Sequence, residues 1–88
     1  MTITLNQTVN SLDPNRTSEN GADSLNNYIA EVSAEIRKEY PDAEIIHNEV
    51  EDTYAFRVDA DDSCLHEEVT QNVQEITEAV YECGNFWA

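Results

Sequence analysis

Two stripes of apolar residues at helical spacing bracket a stretch rich in β-branched and aromatic side chains, and this alternation most limits what the chain can fold into. In the first stripe Leu25, Tyr28, Ile29, Val32, Ile36 and Tyr40 recur at intervals that fit one helix face, at about 100° per residue. Asp23 or Ser24 is the expected N-cap, since short polar side chains accept from the first free N–H groups of a helix. Pro41 ends the helix, because the residue before a proline is pushed out of the helical region. In the second stripe Leu65, Val69, Val73, Ile76, Val80 and Cys83 line up in the same way, starting from Asp62 or Ser63. Gly84 is placed to close that helix in the left-handed conformation,.

Between the stripes, Ala43 to Val50 and Thr53 to Ala60 read as strands. Tyr54, Phe56 and Val58 alternate with Thr53, Ala55 and Arg57, the pattern of a half-buried antiparallel strand. Glu51-Asp52 would form the turn of a hairpin, but without Asn-Gly or Asp-Gly its register is not fixed. Upstream, Thr2 to Val9 alternates Ile3, Leu5 and Val9 with polar residues. That suits a strand, and an ordered tail would satisfy it too. Asn10 to Ala22 holds Pro14 and Gly21 among small polar residues, a loop or disordered composition. The aromatics of Asn85-Phe86-Trp87-Ala88 either cover the core or stay exposed.

The expected class is α+β in the order (β)αββα. A small antiparallel sheet, a hairpin with the N-terminal segment as an optional third strand, packs against two amphipathic helices, since each element has one apolar side to bury. Residues 1–22 form an N-terminal strand or flexible segment, and 23–88 a single acidic domain. With 88 residues there is room for one modest core,.

Charge narrows the function. Nineteen Asp and Glu face four Lys and Arg, a formal charge of −15. A small domain usually carries a net charge of about 2–8 in magnitude, and a one-signed excess costs stability through self-repulsion. Glu31, Glu35 and Glu39 form a column on the first helix, and Glu68, Glu75, Glu78 and Glu82 lie along the second. Asp59, Asp61 and Asp62 add charge at the second helix's entry, and Glu49, Glu51 and Asp52 at the hairpin end. No Lys or Arg follows Arg57, while eight acids do.

Like charges at i, i+4 destabilise a helix by roughly 0.2–0.5 kcal/mol per pair. The pairs Glu31–Glu35, Glu35–Glu39 and Glu78–Glu82 therefore cost about 1 kcal/mol together, against a total of about 5 kcal/mol for a domain this small. Successive carboxylates of a column rise about 6 Å, close to the step of roughly 6–7 Å between phosphates along a nucleic-acid strand. These ten residues, Glu31, Glu35, Glu39, Asp59, Asp61, Asp62, Glu68, Glu75, Glu78 and Glu82, are the candidate partner-binding set.

Arg16, Arg37, Lys38 and Arg57 cannot form a basic patch amid so many acids, which excludes direct binding to nucleic acid and argues against binding to anionic membrane. The matching partner is basic: a nucleic-acid-binding protein or a ribonucleoprotein complex. No stretch has the roughly 20 apolar residues of a membrane helix. Met1 to Val9 lacks a basic start and an apolar run, so the expected location is the cytoplasm. Asn6-Gln7-Thr8 and Asn15-Arg16-Thr17 are then chance matches to the glycosylation triplet.

In size, acidity and the placing of two acidic helices around a hairpin, the chain resembles the phage-encoded DNA-mimic inhibitors. These are the anti-CRISPR and anti-restriction proteins and the uracil-DNA glycosylase inhibitor. The resemblance implies a cytoplasmic inhibitor that fills the basic groove of a nucleic-acid enzyme, in the first place an anti-CRISPR protein that keeps a CRISPR effector from its target DNA. It carries over no individual site residue. Two alternatives stay open. One is a non-mimic binding module of the immunity-protein or antitoxin kind, using aromatics such as Trp87. The other is a salt-adapted acidic domain. A homodimer would add burial to so small a chain.

Other chemistry finds little footing. Cys64 and Cys83 lie nineteen residues apart on one expected helix, or about 28 Å, too far for a disulfide. Cys83 is expected in the core and Cys64 near the helix start. Cys64 and His66 point apart on a helix, and His47 lies on an expected strand. Asp59-x-Asp61-x-Ser63 opens like a calcium loop, but Cys64 and Thr70 stand where that loop needs Gly and Glu,. No phosphate loop, nucleophile elbow or His-centred triad is present. The expectation is a binding protein, not an enzyme, with no cofactor and no metal.

Overall fold

The alternation of Ile3 and Leu5 with Thr2 and Thr4 produces a strand, and that strand becomes the middle of the sheet. The structure, a computed structural model, describes residues 1–15, 19–50 and 54–88. In chain order its elements are β1 (Thr2–Asn6), α1 (Val9–Leu12), α2 (Gly21–Glu39), β2 (Glu44–Asn48), β3 (Phe56–Asp59) and α3 (Ser63–Cys83). The strands lie in the order β2-β1-β3, with β1 parallel to β2 and antiparallel to β3. The α+β class and the two amphipathic helices against a small sheet are as expected from sequence.

The strand pairing is not. The expected antiparallel hairpin between the two later strands is replaced by a mixed sheet, because β1 sits between them. The order β1–α2–β2 supplies the helical crossover that a parallel pair requires,. β2 and β3 then stand two strand spacings apart, about 9.5 Å, beyond the reach of a two-residue turn. The supposed turn residues Glu51 and Asp52 lie outside the described residues. The ladder continues past the strand ends: Glu44 N donates to Met1 O (3.0 Å), Gln7 N to Asn48 O (3.2 Å) and Asn6 N to Ala55 O (2.8 Å).

Register fixes the faces. Ile3 lies beside Ile45 and Val58, and Leu5 beside His47 and Phe56. Ile3, Leu5 and Val58 join the core, with Ile45 and Phe56 packed against it. Thr4, Ile46 and Arg57 belong to the opposite face, where Ile46 and Arg57 are exposed. Tyr54, expected inward with Phe56 and Val58, precedes β3 and is 65% exposed.

Residues expected to be loop or disorder between Asn10 and Ala22 include a one-turn helix. Thr8 caps it, Thr8 Oγ1 accepting from Ser11 N (3.1 Å) while Ser11 Oγ accepts from Thr8 N (2.8 Å), and its Leu12 is buried. Helix α2 starts ahead of the expected Asp23 or Ser24 cap, at Gly21 after Asn20. A Cβ at Gly21 would lie 2.6 Å from Val9 Cγ1, so α1 seats against bare backbone here. Leu25, Tyr28, Val32 and Ile36 of α2 face Val69, Val73 and Val80 of α3 across the core.

The helices run antiparallel. Asn72 Nδ2 donates to Tyr40 Oη at the end of α2, and Asn27 Nδ2 donates to Phe86 O near its start. Gly84, at φ 68°, turns the chain back after α3. Phe86 then enters the core, fully buried, edge-on to Tyr28 at 5.0 Å between ring centroids. Ala88 N donates to the buried Ser24 Oγ (2.9 Å). The tail therefore covers the core. Cys83, expected inside, is exposed.

Candidate functional site

On α2 the residues at i, i+4 and i+8 step about 40° around the axis, so Glu31, Glu35 and Glu39 form a row beside the buried stripe of Tyr28, Val32 and Ile36. On α3 the heptad spacing of Glu68, Glu75 and Glu82 drifts only about 20° per step, which gives a second row beside Val69, Val73 and Val80. Because the helices are antiparallel neighbours, parts of the two rows face a shared groove. It encloses about 600 Å³. Glu31, Glu35 and Glu39 line it from α2, and Glu75 and Asn72 from α3. Ala34, Ile76, Ala79, Val80 and Cys83 make much of the lining apolar, and Asn85 closes it beyond the end of α3.

Of the ten candidate residues, the structure therefore brings together Glu31, Glu35, Glu39 and Glu75. Glu68 and Glu82 continue the α3 row beyond the groove lining, and Glu78 lies further round the same helix. Asp59, Asp61 and Asp62 stand at the opposite end of α3, Asp62 about 20 Å along the axis from Glu75. They form a separate acidic group.

The electrostatic roles also divide. Asp62 is the N-cap of α3, its Oδ1 accepting from Cys64 N (2.8 Å) and Leu65 N (3.2 Å). Glu35 Oε1 is 2.8 Å from Lys38 Nζ, an exposed pair of the kind that contributes about 0–1 kcal/mol. Glu78 Oε1 accepts from Gln74 Nε2 (3.2 Å). The carboxylates of Glu31, Glu39, Glu68, Glu75 and Glu82 meet no cation among the described residues. Four carboxylates around a partly apolar concavity focus a negative potential, since low-dielectric walls concentrate field lines.

Sequence reading missed the uncharged lining. Ala34 and Ala79 are small residues beside the acidic rows, and a larger side chain at either position would occupy the space. That was the available signal. Cys83 lines the groove while Cys64 lies at the far end of α3, so the two thiols stay well apart. Among the described residues, no three His, Cys, Asp or Glu side chains gather as a metal-holding group, and no helix is long and apolar enough to cross a membrane. Compared with protein-family models, curated proteins and solved structures, the chain matches none.

Proposed function

We propose that the protein is an acidic inhibitor that imitates nucleic acid and occupies the basic groove of a host defence nuclease or CRISPR effector, keeping target DNA out. The observation that carries this reading is the meeting of the α2 row with Glu75 of the α3 row on one groove. Negative charge on both sides of a groove, a row on α2 and Glu75 on α3, is also a feature of a duplex. The α2 row repeats about every 6 Å, near the phosphate step along a strand. A target whose Lys and Arg are spaced for phosphates meets carboxylates at similar intervals, and association gains from counterion release and steering.

The test is charge reversal. The triple variant Glu31→Lys, Glu39→Lys, Glu75→Lys should lose inhibition of DNA binding by a CRISPR effector, with affinity falling on the order of 100-fold or more. Its circular dichroism should match that of the wild type, since Glu39 and Glu75 are exposed and Glu31 half-buried. Full inhibition by the reversed variant would sink the reading.

A second reading has one observation in its favour. Tyr81, 49% exposed, stands beside the half-buried Trp87 at 6.2 Å between ring centroids, and such aromatics are typical anchors of protein interfaces. A complex insensitive to salt and broken by Tyr81→Ala would favour that reading over mimicry.

A further inference from the structure

A surrogate for a phosphate backbone needs charge alone, yet this groove is lined by apolar side chains between its carboxylates. Half-buried Ile76 and buried Val80 lie there, flanked by the exposed alanines Ala34 and Ala79. We propose that the α2–α3 groove receives a basic amphipathic helix of the partner protein, its apolar stripe against Ile76 and Val80 and its Lys or Arg heads on Glu31, Glu35, Glu39 and Glu75. This inference rests on the acidic-surface reading above and names the element of the partner that engages it.

Charge complementarity selects a cationic occupant, and the apolar lining selects one that also has an apolar face. Lys and Arg suit both demands, because their methylene stems lie along apolar surface while the heads reach outward to carboxylates. The backbone argument selects a helix. An extended segment laid on Ile76 and Val80 would press part of its backbone against apolar side chains, and the carboxylates of the lining can accept from its N–H groups but offer nothing to its C=O groups,. A helix satisfies those groups internally, which is why an amphipathic helix in an apolar groove is a recurrent recognition mode. Size agrees: Glu31 to Glu39 rises about 12 Å, close to the 10–12 Å diameter of a helix with side chains. A helix crossing the groove would therefore meet all three carboxylates of the α2 row.

The two free thiols provide the readout in the full chain. Cys83 lines the groove and Cys64 lies at the other end of the same helix. A helical peptide of fifteen or so residues, with a Leu stripe and Lys and Arg on its flanks, should slow maleimide alkylation of Cys83 by at least about tenfold, with the rate at Cys64 unchanged. A scrambled peptide of identical composition should give no protection. Filling the groove by Ala79→Trp should abolish protection, and Ala34→Trp on the facing helix should do the same. Both alanines are exposed, and circular dichroism checks that each variant folds. Protection that survives both tryptophan variants, or equal protection by the scrambled peptide, would overturn the proposal. Binding of both peptides at low salt without protection of Cys83 would overturn it while leaving the acidic-surface reading intact. Binding of neither at low salt would overturn both.

Discussion

Gly84 holds the one positive φ among the described glycines, and its position decides where the tail goes. Its N–H reaches Val80 O (3.3 Å), and the left-handed turn aims Phe86 at Tyr28. An L side chain in this conformation costs roughly 1–2 kcal/mol. A Cβ would also sit 3.4 Å from Trp87 Cδ1. Gly84→Ala should lower the urea midpoint by about 1 M, taking a slope of about 1 kcal/mol per M for a small protein. An unchanged midpoint would mean the tail contributes little. Tyr28 gives a second expectation. Burial, with a smaller contribution from Tyr81, pushes its phenol up from 10.0 to about 12. The folded state thus keeps its proton where the unfolded state has lost it. This contribution is fully present below pH 10 and is lost as pH rises through 12. Melts between pH 8 and 11.5 should show an alkaline decline that is shallower in Tyr28→Phe. Gly84 was readable from sequence because a helix stop after an apolar stripe is a local signal. Cys83 was misplaced because the last position of the stripe, at the end of α3, lines the groove and not the core.

Both long helices were legible because their stripes repeat within the element itself. Their ends were less so. Asp62 was foreseen as one of two caps and caps α3, whereas α2 begins at Gly21 with no side-chain cap bond from Asn20. The strands show the other limit. Ile3 and Leu5 mark β1, but nothing in residues 1–9 says that Ile45 and Val58 will lie on either side of Ile3. That is a long-range choice, made between residues more than forty positions apart. The same limit applied to the site. Both acidic rows could be read from spacing, but their convergence depends on how α2 and α3 pack. Asp62 offers a way to separate the structural role of an acid from the proposed binding role. Asp62→Ala should cost about 1 kcal/mol, and Asp62→Asn only a few tenths, since Asn caps as well as Asp. Because Asp62 is far from the groove, neither substitution should change binding to a basic partner at a temperature where both variants are folded. A loss with Asp62→Asn would instead join the acidic group at the start of α3 to the binding surface.

For the whole molecule, the net charge of −15 is a standing repulsion that mobile ions weaken. The Debye length falls from about 30 Å at 0.01 M salt to about 8 Å at 0.15 M. Raising salt over this range should lift the melting temperature by about 4–8 °C if screening recovers about 1 kcal/mol. The domain should already be folded at the lower salt. A chain that folds only in molar salt would point to salt adaptation instead of mimicry. The central strand has a further consequence, which belongs to synthesis. Thr2 pairs with Asp59, 57 positions later. At roughly 5–20 residues per second, β1 waits about 3–11 s on the ribosome before its antiparallel partner exists. During that interval β2 can cover one edge of β1 once Asn48 is made, but the edge awaiting β3 stays bare, the kind of edge that joins neighbouring chains. The acids made in the same interval, from Asp13 to Asp52, repel nascent copies from one another, so one-signed charge guards the unfinished chain against its own kind.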